Sequence, residues 1–229
     1  MRAVSAVFLR LPAAPSALVP LVAAVILACS AAPARAEAPG FVPLFDGKSF
    51  GGFNGDFDVW RIEDGAIVAG SPDKAAPRNE FLATDKEYGD FELRLEYKLE
   101  ATEGANAGVQ FRSVRIPNHH EVSGYQADIG PGYFGALYDE SRRNKLLAVP
   151  AERMVAAALA GGVDGWHSYR IRAEGNRIRL ELNGVETVDW TDPDAGIARK
   201  GMIALQIHGG LVGTIRYRNL RIRPLDGGK

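Results

Sequence analysis

Three short segments place an amide and an ionisable group two positions apart: Gln110 and Arg112 in "GVQFR", Gln126 and Asp128 in "GYQADIG", and Gln206 and His208 in "ALQIHGG". Each alternates with apolar partners, namely Val109 and Phe111, then Tyr125, Ala127 and Ile129, then Ile203, Leu205 and Ile207. Side chains on a β-strand point to opposite faces in turn, so each amide and its charged neighbour share the polar face, about 6.6 Å apart. If the three strands lie in one sheet, a carboxylate base, a guanidinium and an imidazole that titrates near neutrality converge on one concave surface. Amides with one each of Arg, Asp and His suit recognition of sugar hydroxyls better than they suit plain solubility. The competing reading is an ordinary wet face, because antiparallel sheets commonly turn one side to water.

The elements that must carry these residues are strands almost throughout. In "FELRLEYKLE", Phe91, Leu93, Leu95, Tyr97 and Leu99 alternate with charged residues. In "NRIRLELNG", Ile178, Leu180 and Leu182 do the same, and Asn183-Gly184 supplies a hairpin turn. The stretch from Trp60 to Val68 reads as strand, Asp64-Gly65 turn, strand. "GTIRYRNLRIRPL" slips phase near Asn219, which predicts a bulge. Only Ala151 to Ala160 reads as helix. Short strands separated by turn signals predict an all-β, antiparallel sandwich or jelly roll in a single domain, with no internal repeat.

Residues 1–36 stand apart. Arg2 and Arg10 precede an apolar run from Ala17 to Cys29, and Ala34-Arg35-Ala36 is a small-x-small site before Glu37. This pattern reads as a secretory signal peptide, leaving a domain of residues 37–229 in the periplasm or medium. Lipidation of Cys29 after Ile26-Leu27-Ala28 is the disfavoured alternative, because Leu27 is bulky for that motif. Cleavage after Ala36 removes the single cysteine and takes the formal charge from −1 to −4. Such a chain relies on its core rather than on disulfides, and its charge argues against a nucleic-acid partner. The sequence carries no glycine-rich nucleotide loop, no zinc-spaced Cys/His set, no heptads and no membrane span beyond the signal.

The blocks "PLFDGKSF", "WRIEDGAI", "YGDFELRLEYK", "NAGVQFR", "GYQADIG", "GALYDE", "DGWHSYRI", "LNG" and "ALQIHGG" followed by "IRYRNLRIRPL" run in order from about Phe41 to Leu225. In that order the chain resembles the 3-keto-disaccharide hydrolase family. The resemblance implies a concanavalin-like or laminin-G-like jelly roll acting on glycosides whose carbon-3 hydroxyl has become a ketone. The ketone acidifies the hydrogen on carbon 2, a base removes it, and the substituent on carbon 1 leaves; water then adds where the net result is hydrolysis. Such chemistry needs a base, a donor for the developing oxyanion and an acid for the leaving oxygen. The family roles fall on Asp128 as base with His208 and Arg112 as electrostatic partners, roles that Asp128 and His208 can exchange. Asn106, Gln110, Gln126 and Gln206 are candidate sugar contacts, and Tyr138 and Lys145 reach the groove from a loop. Where many relatives have Glu-x-Gln, this chain has Gln126-Ala127-Asp128, so carboxylate and amide are exchanged along one face.

Other residues read more plainly. His119-His120 is an exposed loop in preference to a rim contact or metal ligand. Trp60 and Trp166 are core or sheet-edge aromatics, and Asp73, Asp192 and Asp194 are turn residues. The expected partner is a small carbohydrate. No cofactor is specified, a divalent metal stays open, and neither the sugar nor the oligomeric state can be read. The same scaffold also serves carbohydrate-binding modules without catalysis, and domains of adhesion or assembly.

Overall fold

The computed structural model describes residues 39–102 and 104–225; the signal segment therefore lies outside the described residues. Fifteen strands and one helix follow in chain order: β1 Val42–Pro43, β2 Phe53–Asn54, β3 Trp60–Glu63, β4 Ala66–Ser71, β5 Glu80–Thr84, β6 Phe91–Ala101, β7 Ala107–Arg115, β8 Val122–Ile129, β9 Leu137–Glu140, β10 Lys145–Ala148, α1 Glu152–Ala158, β11 His167–Glu174, β12 Arg177–Leu182, β13 Val185–Thr191, β14 Met202–Ile207 and β15 Gly213–Pro224. The first sheet has the order β13-β12-β11-β6-β15-β4-β3, with β1 also paired to β15. The second has the order β10-β9-β8-β7-β14-β5-β2. Every ladder is antiparallel, so the expected all-β sandwich is the architecture found.

Local signals place the turns. Asp64 and Gly65 (φ 50° and 74°) and Asn183 and Gly184 (φ 50° and 82°) adopt the paired positive φ of tight hairpin turns. Asn219 (φ 55°) sits within the register shift of β15 against β6, at the predicted phase slip. The helix is shorter than its apolar run suggested, at Glu152–Ala158.

The core lies between the sheets. Leu93, Leu95, Tyr97, Tyr169, Ile171, Leu180, Ile215 and Tyr217 from the first sheet meet Leu82, Val109, Phe111, Tyr125, Ala127, Ile129, Leu205 and Ile207 from the second. Burying one such side chain contributes roughly 1.5–3 kcal/mol, and no cysteine follows Cys29, so this packing carries the stability. Trp60 is a core residue, while Trp166 lies at the surface with the Arg218 guanidinium 3.8 Å over its ring.

A smaller apolar cluster forms on the outer face of the second sheet. Val122, at the tip of the β7–β8 hairpin, packs with Phe81, Ala83, Met202 and Ala204. Polar contacts hold the same tip down. Arg115 donates to the Phe81 carbonyl at 3.2 Å and to the Asn54 side chain at 2.9 Å. Asn79 donates to Glu121 at 2.9 Å, and Nδ1 of His120 lies 3.1 Å from the Asn79 carbonyl. The polar face, which the competing reading left to water, is therefore partly roofed by its own hairpin.

Candidate functional site

The three polar pairs do not all stay together. Gln110 faces Gln126, Gly108 faces Asp128, and Gln206 faces Gly108, so β8, β7 and β14 present their amides side by side on the outer face. Serine and amides form a directed row: Ser113 donates to Gln110 at 2.8 Å, Gln110 to Gln126 at 2.7 Å, and Gln126 to Asp128 Oδ1 at 2.7 Å. The carboxylate can only accept in its charged form, which fixes the orientation of the Gln126 amide. A methyl group on Gly108 would lie 2.7 Å from the Gln126 side chain, so the absent side chain at position 108 makes room for the row.

Solvation of this face does not account for it. Gln110 and Gln206 are fully buried, and Gln126 and Asp128 are 3% exposed. Both side-chain atoms of Gln206 lack a hydrogen-bond partner, as does Oδ1 of Asn106. Buried amides without partners cost about 1–3 kcal/mol each, and native structures usually satisfy them. Gln206 thus holds a donor and an acceptor that no protein group satisfies.

Arg112 does not reach the groove, contrary to the alternation of "GVQFR". The ladders of β7 with both neighbours shift register around it, and its φ of 48° is rare for a bulky residue. An extra residue in a strand breaks the two-residue period and re-aims the side chain. The guanidinium instead donates to the Gly89 carbonyl at 3.0 Å, the Gly175 carbonyl at 2.7 Å and Asp90 at 2.7 Å, all at the edge of the opposite sheet. It ties the two sheets together. Lys145 is also misplaced: it pairs with Asp139 on the exposed edge strand β10, on the face opposite Tyr138.

The remaining expected residues surround the amide row. Tyr138 faces Gln126 from β9 and is half-buried. The backbone N–H of His208 donates to the Asn106 carbonyl at 3.3 Å, and its Nδ1 lies 2.7 Å from the Gly209 carbonyl. A carbonyl only accepts, so Nδ1 carries hydrogen and Nε2 is the atom free to exchange a proton with a ligand. His119 and His120 stack with ring centres 4.5 Å apart, and a depression of about 540 Å³ lies between Arg78 and this tip. Pro117, Asn118 and His119 are exposed, as the loop reading expected, and His120 is half-buried beside Glu121.

Sequence reasoning missed Glu140. It follows Tyr138 by two residues, faces Gly124, and shares the groove face. Reading "LYDE" as loop concealed the alternation of a four-residue strand. Asp139, on the other face, is fully buried against Arg142 and Arg143, and Arg143 continues to Asp192 at 2.8 Å. Tyr125 donates to the same Asp192, which accepts the Asp194 N–H at 2.9 Å as the expected turn residue and is also a buried anchor of the β9–β10 hairpin.

The electrostatics single out Asp128. Burial pushes its carboxyl up to about 7; the hydrogen bond from Gln126 opposes this and the charge of Glu140 adds to it. Among the described residues, no Lys or Arg pairs with it. Glu140 is also raised, first by burial and then by Glu121, with His208 and Ser141 acting the other way. Tyrosines brace the strands from beneath: Tyr217 lies 2.8 Å from the Gln206 carbonyl, and Tyr169 donates to the Asp128 carbonyl at 3.3 Å. Among the described residues, no three His, Cys, Asp or Glu side chains are grouped to hold a metal ion, and no helix is long and apolar enough to cross a membrane.

Several solved structures share the fold. A candidate glycosyl hydrolase from Parabacteroides distasonis ATCC 8503 is similar at 20% identity and a TM-score of 0.63, over 82% of this chain and 94% of its own. A second from the same organism has 24% identity and a TM-score of 0.60, over 81% and 99%. The carbohydrate-binding module CBM66 from Bacillus subtilis has 16% identity and a TM-score of 0.55, over 75% and 95%. Identities this low show the jelly-roll fold alone. No curated protein matches the chain. Residues 40–223 match the 3-keto-alpha-glucoside-1,2-lyase-like domain, and the chain belongs to that carbohydrate-acting family.

Proposed function

We propose that this protein is an exported enzyme that cleaves glycosides oxidised to a ketone at carbon 3, by elimination at carbons 2 and 1. The observation that carries the reading is Asp128: a buried carboxyl without a cation, held by an amide row and raised to about 7. A free aspartate near 3.9 is a poor base for a carbon acid, whereas a base poised near working pH is effective. Asp128 takes the proton from carbon 2 through its second oxygen. The negative charge that develops on the ketone oxygen meets the unpaired N–H of Gln206 and, with the imidazole doubly protonated, the Nε2–H of His208, which serve in place of the guanidinium expected at Arg112. The bond from carbon 1 to its substituent then breaks, and water adds to carbon 1 where the product is the free sugar.

Release of 4-nitrophenol from a 3-keto-glucoside, with the unoxidised glucoside as control, tests this. Turnover of the keto compound alone, lost in Asp128→Asn, supports it. Binding of either sugar without turnover would make the domain a carbohydrate-binding module, and loss in His208→Gln with Asp128→Asn unaffected would move the base to His208.

A further inference from the structure

Resting on that reading, we propose that Glu140 is the proton donor to the departing oxygen on carbon 1. Its strand position faces Gly124, four residues from Asp128 on β8, or about 13 Å along the sheet before the side chains close part of the gap. Tyr138 and Gln126 lie between, on the same face. The side chains close enough of that gap for the charge of Glu140 to act on Asp128, as two groups serving the adjacent carbons 1 and 2 must. The two acids also differ in surroundings. Asp128 accepts a strong hydrogen bond from Gln126 at 2.7 Å, which favours its charged form. Among the described residues, Glu140 has the Ser141 hydroxyl at 3.5 Å and the Ser141 backbone N–H as partners, and no Arg or Lys. The groups that face it are Asp128, Glu121, Tyr138 and His208, and the carboxylates among them disfavour a further negative charge. Glu121 Oε2 is itself buried without a partner. The charge of Glu140 raises Asp128, so the pair favours one proton held between two carboxyls, the state that has one acid and one base.

The step balances. Asp128 takes the carbon-2 proton, the electron pair of that bond passes through the enolate to form the carbon 1–carbon 2 double bond, and the carbon 1–oxygen bond breaks. The leaving oxygen takes the proton from Glu140. On hydration, the Glu140 carboxylate receives a proton from the water that adds to carbon 1, and Asp128 returns its proton to carbon 2, restoring both groups.

The test compares leaving groups. A 4-nitrophenolate departs without protonation, whereas the alcohol of a 3-keto-disaccharide needs a proton. Glu140→Gln should lose about 10²-fold or more on the disaccharide, the scale of general acid catalysis, and only a few-fold on the nitrophenyl compound. Exchange of the carbon-2 hydrogen with deuterated solvent, read by NMR, should continue at the wild-type rate. Glu140→Asp, which keeps an acid one methylene shorter, should recover part of the disaccharide activity. Equal losses on both substrates, undiminished disaccharide cleavage, or loss of carbon-2 exchange would overturn the assignment. A wild-type protein that turns over neither compound would overturn the cleavage reading itself, and this assignment with it.

Discussion

Gln126 donates its amide hydrogen to Oδ1 of Asp128 at 2.7 Å, from two positions earlier on the same strand. One hydrogen bond to the charged form lowers a carboxyl, and burial raises it; here burial wins, and Asp128 sits at about 7. The site is thus built to hold a carboxyl near its point of exchange rather than to stabilise its charge.

The rate should follow that titration. With Asp128 as base, kcat/KM for the 4-nitrophenyl 3-keto-glucoside, whose leaving group needs no proton, rises with pH and levels off above an apparent pKa near 7, since it reports the free enzyme. A pH–rate profile flat down to pH 5 would remove Asp128 from the role.

Stability should move the other way. The folded carboxyl holds its proton more tightly than the unfolded chain does, so its contribution is full below pH about 4 and lost as pH rises through about 7. Asp128→Asn should therefore raise the melting temperature at pH 8 by about 4 °C or more, on a scale of roughly 2–4 °C per kcal/mol for this length. At pH 4 the difference should vanish. A lower Tm at pH 8 would contradict it.

Gln206→Met keeps the length of the side chain and removes two unpartnered buried atoms. We expect stability to be unchanged or higher, by up to about 1–3 kcal/mol of relieved desolvation, while affinity for a 3-keto sugar falls. Calorimetric binding with a thermal melt checks both, and a destabilised variant with normal affinity would refute the ligand-facing role.

Arg112→Met should cost about 1–3 kcal/mol, the scale for buried groups left without a partner, because two glycine carbonyls and the partly exposed Asp90 lose their donor. Turnover by the folded fraction should stay within a few-fold of wild type. A stable Arg112→Met protein without turnover would return the arginine to the chemistry.

Glu92, on the outer face of the first sheet, is fully buried among Arg94, Arg170, Arg172 and Arg223. Burial would raise its carboxyl, but hydrogen bonds from Arg170 and Arg94 outweigh that and bring it to about 2. Its contribution is present above pH about 4.5 and lost as pH falls through about 2. Glu92→Gln should lower stability by about 3–5 kcal/mol at neutral pH, with a smaller difference in acid denaturation at pH 2. Equal Tm values at pH 7 would mean the arginines are solvated without it.

What the sequence determined by itself is whatever depends on neighbours one or two residues away. Alternation of side chains is a property of extended backbone, so Phe111, Ala127, Ile129, Leu205 and Ile207 were legible as core, and Gln110, Gln126, Asp128 and Gln206 as one polar face. Glu140 and Tyr138 obey the same rule, but a four-residue strand is too short for its period to stand out from a loop. Arg112 breaks the rule through a bulge, and its partners Gly89, Asp90 and Gly175 lie more than twenty residues away in the chain. Tertiary structure alone also decided that the polar face is dry. That follows from the β7–β8 tip folding back so that Val122 meets Phe81 and Met202, and Glu121 meets Asn79. Local pattern sets the direction in which a side chain points, whereas desolvation, and with it the basicity of Asp128, depends on what distant segments lay over it.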